Sequence, residues 1–215
     1  MRPLTTPAAR AEAAAVAEER MRTLTARHVG ALLPDAATLF RQDAWETVGL
    51  YEYDTEGDEV MIGCLRLHRE PADSAHWGKD GDEPGLLLSL AHSLPAYTGT
   101  ARLMTLWAAD YTARLGKPWV RAEAPPLVSG RNTDRGRLIQ HLGNLGWQAV
   151  RPGKGVDGMQ VTRLRIPSQR RPGLAPLIDC QVPLSPGRPA ADGSARTANF
   201  LAHGATSAPL PGGIA

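Results

Sequence analysis

Cysteine is nearly absent from this chain. Cys64 and Cys180 are the only two in 215 residues. Two are too few for a disulfide framework, and neither lies in a Cys/His cluster with metal-ligand spacing. A structural zinc is therefore not expected, and a reducing cytoplasm is the simplest compartment. Excess charge of one sign is also lacking. Lys and Arg number 24 against 22 Asp and Glu, for a formal net charge of +2. Nucleic-acid binding usually shows as a strongly basic stripe, so this balance gives no argument for it. No run of about 18 apolar residues occurs, and no membrane span is expected. The N-terminal stretch MRPLTTPAARAEAAAVAEER carries charges inside its alanines and lacks the apolar centre of a signal peptide. Hydrophobic residues make up 42%, but many are alanine, so a core must lean on Leu, Val and the five Trp. The chain shows no internal repeat, and its length suits one domain plus a tail.

What is present is an order of elements. Residues 8–29 predict a helix, with Ala17, Met21, Leu24 and His28 at i, i+4, i+7 and i+11 on one face. A short helix near 34–40 and a hairpin follow. ETVGLYEYD and DEVMIGCLRLHR are rich in strand formers, and the polar run 54–58 between them has turn chemistry. Residues 70–84 read as a polar connecting segment, and 86–93 as a short buried strand. Thr98 or Thr100 is placed to cap the next helix. Its apolar positions Leu103, Trp107, Tyr111 and Leu115 repeat every four residues. Gly116 fits the residue just past the helix end, and Pro118 prevents continuation. Residues 119–124 predict a strand that Pro125-Pro126 ends. A helix carrying Leu138, Leu142 and Leu145 then stops at Gly146. WQAV and MQVTRLRI predict a last pair of strands. From Pro167 the composition turns to Pro, Gly, Ala and Ser without a sustained period. Residues 1–166 are expected to form one domain and 167–215 a disordered tail.

The informative part for function is the strand, glycine loop and helix of residues 86–115. A loop with exposed backbone N–H groups at a helix start is a ready anion site. Gly99 lets the backbone approach a ligand closely, because it has no Cβ.

Taken in order, these parts resemble the GNAT-type N-acetyltransferases over roughly residues 8–166. The resemblance rests on a set of ordered segments. They are Gly63-Cys64-Leu65-Arg66-Leu67, a polar loop with Asp73 and His76-Trp77, and Leu88-Ser89-Leu90-Ala91. Pro95 through Ala101, a helix with Leu103-Met104 and Trp107-Ala108-Ala109, Gly116, Trp119 through Glu123, and Leu145-Gly146-Trp147 complete the set. The resemblance implies an α/β fold, a mixed and mostly antiparallel sheet flanked by helices. It also implies two parallel strands that splay apart, acetyl-CoA as co-substrate, and transfer of the acyl group to an amine by direct attack in a ternary complex.

Carried over residue by residue, the resemblance has Leu90, Ala91 and His92 flank the pantetheine arm, which pairs like an added strand. Thr98, Gly99, Thr100, Ala101 and Arg102 then form the phosphate cradle. Glu123, near the end of the second splayed strand, is the candidate base. Two positions depart from the family pattern. The Arg or Gln that opens the family's loop motif is Ala96 here. The Tyr that protonates the leaving thiolate is Leu142, with His141 as the adjacent candidate acid. Arg102 is a candidate to compensate in the cradle through bidentate phosphate contacts. The expected partner is a small-molecule or peptide amine. Nucleic acid and membrane are not expected, and homodimerisation stays open. An alternative expectation is a catalytically silent member of the fold that acts as a binding or interaction module.

Overall fold

The structure is a computed structural model. It describes residues 1–26, 30–31, 35–43, 46–125, 127–128, 133–155 and 158–185. The elements in chain order are β1 (Arg2–Pro3), α1 (Pro7–Ala26), β2 (Gly30–Ala31), α2 (Ala36–Arg41), β3 (Glu46–Tyr53) and β4 (Glu59–His68). A 3₁₀ segment (Pro71–Gly81) leads to β5 (Gly85–Ser93), α3 (Thr100–Arg114), β6 (Trp119–Ala124), β7 (Leu127–Val128), α4 (Thr133–Asn144), β8 (Gln148–Lys154) and β9 (Gln160–Pro167). Seven strands form one sheet in the order β1-β3-β4-β5-β6-β9-β8. Every neighbouring pair in it is antiparallel except β5–β6. The mixed, mostly antiparallel α/β architecture is therefore the one expected.

Two apolar clusters hold the layers. On one sheet face, Leu65, Leu86, Leu88, Val120 and Leu164 pack with Met104, Trp107, Ala108 and Tyr111 of α3. Leu138, Ile139 and Leu142 of α4, and Leu145 just after it, lie against the same cluster. On the opposite face, Met61 and Cys64 of β4 meet Ala13, Ala14 and Ala17 of α1 and Phe40 of α2. Alanines there let α1 lie close to the sheet, close enough for the Cys64 thiol to donate to the Ala13 carbonyl at 3.7 Å. Burial pushes that thiol's pKa up, so Cys64 is a core residue with little thiolate character. The face of α1 that is buried carries Arg10, Ala13, Ala14 and Ala17. Met21 and Leu24 are only half-buried, and His28 lies outside the described residues. The expected face was thus set one turn too far along the helix.

Both helix stops are as expected. Gly116 and Gly146 adopt φ of 70° and 98°. In each case the following N–H reaches back to the last turn, Lys117 to Thr112 and Trp147 to Leu142. The α3 start differs from expectation. Its N-cap is Gly99, with no side-chain cap bond, and the Thr100 hydroxyl instead donates to the Tyr97 carbonyl at 3.1 Å.

The expected boundary after Ile166 is corrected. Residues 167–184 belong to the compact unit Met1–Leu184. Leu174, Ile178 and Val182 are buried in the cluster beneath α3. The Tyr111 hydroxyl donates to the Pro183 carbonyl at 2.6 Å, and the Trp107 indole N–H to Cys180 at 3.3 Å. The carboxylate of Asp110 accepts the backbone N–H of Arg171 at 2.6 Å. In the sequence the strap has the look of a tail, because its apolar residues stand singly among prolines and glycines, without a helix or strand period. The remainder of the expected tail, 186–215, lies outside the described residues. Among the described residues, no helix is long and apolar enough to cross a membrane.

Candidate active site

β5 and β6 begin as a parallel pair and then part. Register partners run from Gly85↔Trp119 to Leu88↔Ala122 and stop there. β5 continues to Ser93 and β6 to Ala124. Along this stretch β5 keeps its partner on the other side, with Ser89↔Arg66, His92↔Cys64 and Ser93↔Gly63 of β4. One edge of residues 89–93 therefore faces the gap between the strands. The separation coincides with a β-bulge, since two residues of β5, Leu90 and Ala91, stand against Leu65 alone on β4. Leu90 takes φ of 50°, the one non-glycine residue with positive φ among the described residues. A bulky side chain pays for that conformation, so the bulge is held by its surroundings rather than by local preference.

The chain leaves β5 and turns into α3 at residues 94–99. Gly99 has φ of 85°, and a Cβ placed on it would meet nothing within 4 Å. The first intrahelical bond runs from Leu103 N–H to the Gly99 carbonyl at 3.0 Å. The N–H groups of Gly99, Thr100, Ala101 and Arg102 precede it at the positive end of the helix dipole. Thr98, Gly99 and Arg102 are exposed, Ala101 is half-buried and Thr100 is buried. Gly63 lets α3 approach the sheet here, because a Cβ on it would fall 2.9 Å from Met104 Sδ and 3.0 Å from Thr100 Cγ2. The fold thus brings together a strand edge open to the gap and a helix start in open space.

A polar cluster lies at the same fork, on the face away from α3. Glu123 is the first β6 residue past the last β5–β6 pair. Its Oε1 accepts from Trp77 Nε1 at 2.7 Å and pairs with His76 Nε2. The Glu123 side chain is 7% exposed and the His76 side chain 23%. Trp77 is itself buried. The guanidiniums of Arg121 and Arg163 lie over its ring at 5.6 and 5.4 Å from the centroid. Arg163 also donates to the carbonyls of His76 at 2.6 Å and Trp77 at 3.2 Å. Burial lowers the Arg121 pKa. Across the fork, His68 Nε2 and Ser89 Oγ are 2.7 Å apart.

The other candidates fall elsewhere. His92 faces α2 and makes an edge contact with Phe40 at 6.0 Å between ring centroids. Burial first, and Arg20 second, pull its pKa down to about 4. Its backbone belongs to the open strand edge, while its side chain is part of the α1–α2 layer. His141 is exposed on α4, and Leu142 turns inward onto the core. Outside the fork, at the closed end of β5–β6, Trp119 Nε1 donates to the Glu83 carboxylate. Residues 70–84, read as a plain polar connection, instead form 3₁₀ turns with a left-handed Gly78 that bury Trp77. The sequence marks His76 only as part of a loop motif. Its hydrogen-bond partner is 47 residues away, and no local spacing points to it.

A solved structure shares this arrangement of elements. A GNAT-family protein from Desulfovibrio desulfuricans, assigned as an acetyltransferase, matches with a TM-score of 0.53 at 16% identity. That match covers 78% of this chain and 98% of the other. The chain has the GNAT fold. An aminoglycoside 6′-N-acetyltransferase solved with coenzyme A matches at TM-score 0.49 and 10% identity, over 78% and 94% of the two chains. A GNAT-family acetyltransferase from Listeria monocytogenes matches at 0.48 and 14%, over 76% and 92%. No family model and no curated protein matches the sequence. At these identities the GNAT likeness is one of fold, and fold alone does not assign the chemistry of the site.

Proposed function

We propose that the protein transfers an acyl group from acetyl-CoA to an amine. The observation that carries this is the fork between β5 and β6 with the α3 N-terminus beside it. A pantetheine arm is an extended chain with amide groups, and the edge of residues 89–93 offers main-chain partners on one side. A pyrophosphate suits the N–H groups of residues 99–102, the dipole of α3 and the open space at Gly99. Arg102, exposed in the first turn, adds a cation. Leu90 and Ala91 are the bulge residues next to the arm, and Thr98 borders the phosphate site.

Acetyl-CoA supplies a thioester carbonyl, and the protein's work is to orient it and manage protons. The amine attacks the carbonyl carbon, the developing oxyanion takes a backbone N–H at the open strand edge, and the thiolate leaves. The amine proton goes to the polar pair Glu123–His76 at the fork. His141, exposed on α4, returns a proton to the thiolate only through solvent. The acceptor is a small molecule or a peptide carrying a primary amine. Leu142 favours a second reading, a silent binding module, because its register offers no acid. The test is amine-dependent thiol release from acetyl-CoA, with a diamine, an amino sugar and a lysyl peptide as acceptors. Release that requires both acetyl-CoA and an amine supports the transferase. Tight acetyl-CoA binding without release supports the silent module.

A further inference from the structure

We infer that His76 is the group that takes the proton from the acceptor amine, with Glu123 orienting it; this rests on the transferase reading. Three observations carry the assignment. Glu123 is the more buried partner, 7% exposed against 23% for His76, so an incoming amine reaches the imidazole first. Trp77 Nε1 and His76 Nε2 both fall on Glu123 Oε1, which turns the carboxylate towards them. With Nε2–H donated to a carboxylate, the neutral ring carries its lone pair on Nδ1. A buried carboxylate that fixes a histidine's tautomer and steadies its protonated form is a known way to build a base.

The surroundings fit this division of labour. The His76 backbone is clamped by Arg163 through its carbonyl at 2.6 Å. The Trp77 ring lies against Arg121 and Arg163. The 3₁₀ segment that carries both residues is tied to β8 by the Arg151–Asp80 ion pair. The charged groups around the pair are thus Glu123 and Arg121 from β6, Arg163 from β9, Arg151 from β8 and Asp80 from the segment itself. The arginines bond mainly to carbonyls, and Glu123 is the anion in contact with the ring. Trp77 and Glu123 are positioning residues, and His76 is the catalytic one.

The step balances. The amine nitrogen bonds to the carbonyl carbon, one of its protons moves to His76 Nδ1, and the C–S bond breaks. The imidazolium passes its proton to water and the thiolate takes one from solvent, giving amide and free thiol.

The test uses the full chain and its variants His76→Gln and Glu123→Gln. Thiol release from acetyl-CoA with the best of the three amines is followed against pH, and acetyl-CoA affinity is measured in parallel. In the wild type kcat/KM is expected to show an acidic limb as the base takes up a proton. His76→Gln is expected to lower kcat by about 10²-fold or more and remove that limb, with acetyl-CoA affinity unchanged. Glu123→Gln is expected to keep the limb but move it to lower pH, because a stabilising anion is lost. Wild-type kcat and an unchanged limb in His76→Gln would overturn the assignment alone. So would a limb in the carboxylate range that Glu123→Gln abolishes. A wild-type protein that binds acetyl-CoA and releases no thiol with any amine overturns the transferase reading, and this assignment with it.

Discussion

Trp77 and Glu123 stand 46 residues apart in the chain, and the indole N–H of one donates to the carboxylate of the other at 2.7 Å. That single bond ties the 3₁₀ segment to the end of β6 at the point where β5 and β6 part. It also gives a buried indole and a buried carboxylate their partners, which neither finds in solvent. Trp77→Phe keeps most of the ring volume and removes only the donor. Its expected cost is about 1–2 kcal/mol of stability. Trp77→Ala also removes the packing and is expected to cost about 3–5 kcal/mol. Urea titrations of both variants check the order. Equal stability of Trp77→Phe and wild type would mean that the bond contributes nothing.

The strap of residues 167–184 is part of the folded unit. Leu174, Ile178 and Val182 bury their side chains against the cluster under α3, each worth about 1.5–3 kcal/mol of burial. Asp110, 4% exposed, holds the strap through the Arg171 N–H and an ion pair with Arg170, and also pairs with Arg114 on its own helix. A chain ending at Pro167 is therefore expected to melt far below one ending at Ser185, or not to fold at all. Thermal melts of the two truncations decide this. Coincident melts would show that the strap adds nothing.

Acid weakens the protein partly through His92. Its folded pKa is about 4 because burial disfavours the imidazolium, while an unfolded histidine titrates near ~6.5. Below that value the unfolded state takes up a proton that the folded state refuses. The stability owed to neutral His92 is full above pH ~6.5 and is lost as pH falls towards 4. The whole shift is worth at most about 3 kcal/mol. His92 Nε2 has no hydrogen-bond partner among the described residues, so His92→Leu strands no partner. That variant is expected to lose less stability than wild type between pH 7 and pH 4.5. Denaturant curves at the two pH values read the difference, and parallel losses would contradict it.

The GNAT resemblance puts the family's acid at the position of Leu142, and a simple repair there is expected to fail. Its side chain packs on the core cluster rather than facing the fork. Leu142→Tyr is expected to leave the transfer rate within about twofold of wild type and to cost about 1–3 kcal/mol through overpacking. A large rise in kcat would place that position at the site after all.

Periodic parts of the fold were legible in the sequence. The four-residue repeat of Leu103, Trp107, Tyr111 and Leu115 marks α3, and the two runs of strand formers around the polar turn 54–58 mark β3 and β4. Gly116 and Gly146 mark both helix ends. Each of these signals is local, so a window of a dozen residues contains it. The strap, the buried Trp77 and the pairing of His76 with Glu123 were not legible. They depend on contacts across 46 residues or more, and their residues stand singly in polar or proline-rich stretches. The helix cap was misread for a related reason. Thr98 and Thr100 both have capping side chains, but Gly99 takes the left-handed turn, and Thr100 spends its hydroxyl on Tyr97.

The central claim is that the fork and the α3 start hold acetyl-CoA. The direct test is calorimetric titration of acetyl-CoA into the full chain and into Gly99→Glu. Gly99 is exposed in open space with φ of 85°. A glutamate there sets a negative charge against the phosphates and a strained backbone at the turn. The account predicts micromolar binding to the wild type and at least a tenfold loss in Gly99→Glu. No heat of binding by the wild-type chain at millimolar acetyl-CoA, or equal affinity in the two proteins, would contradict it.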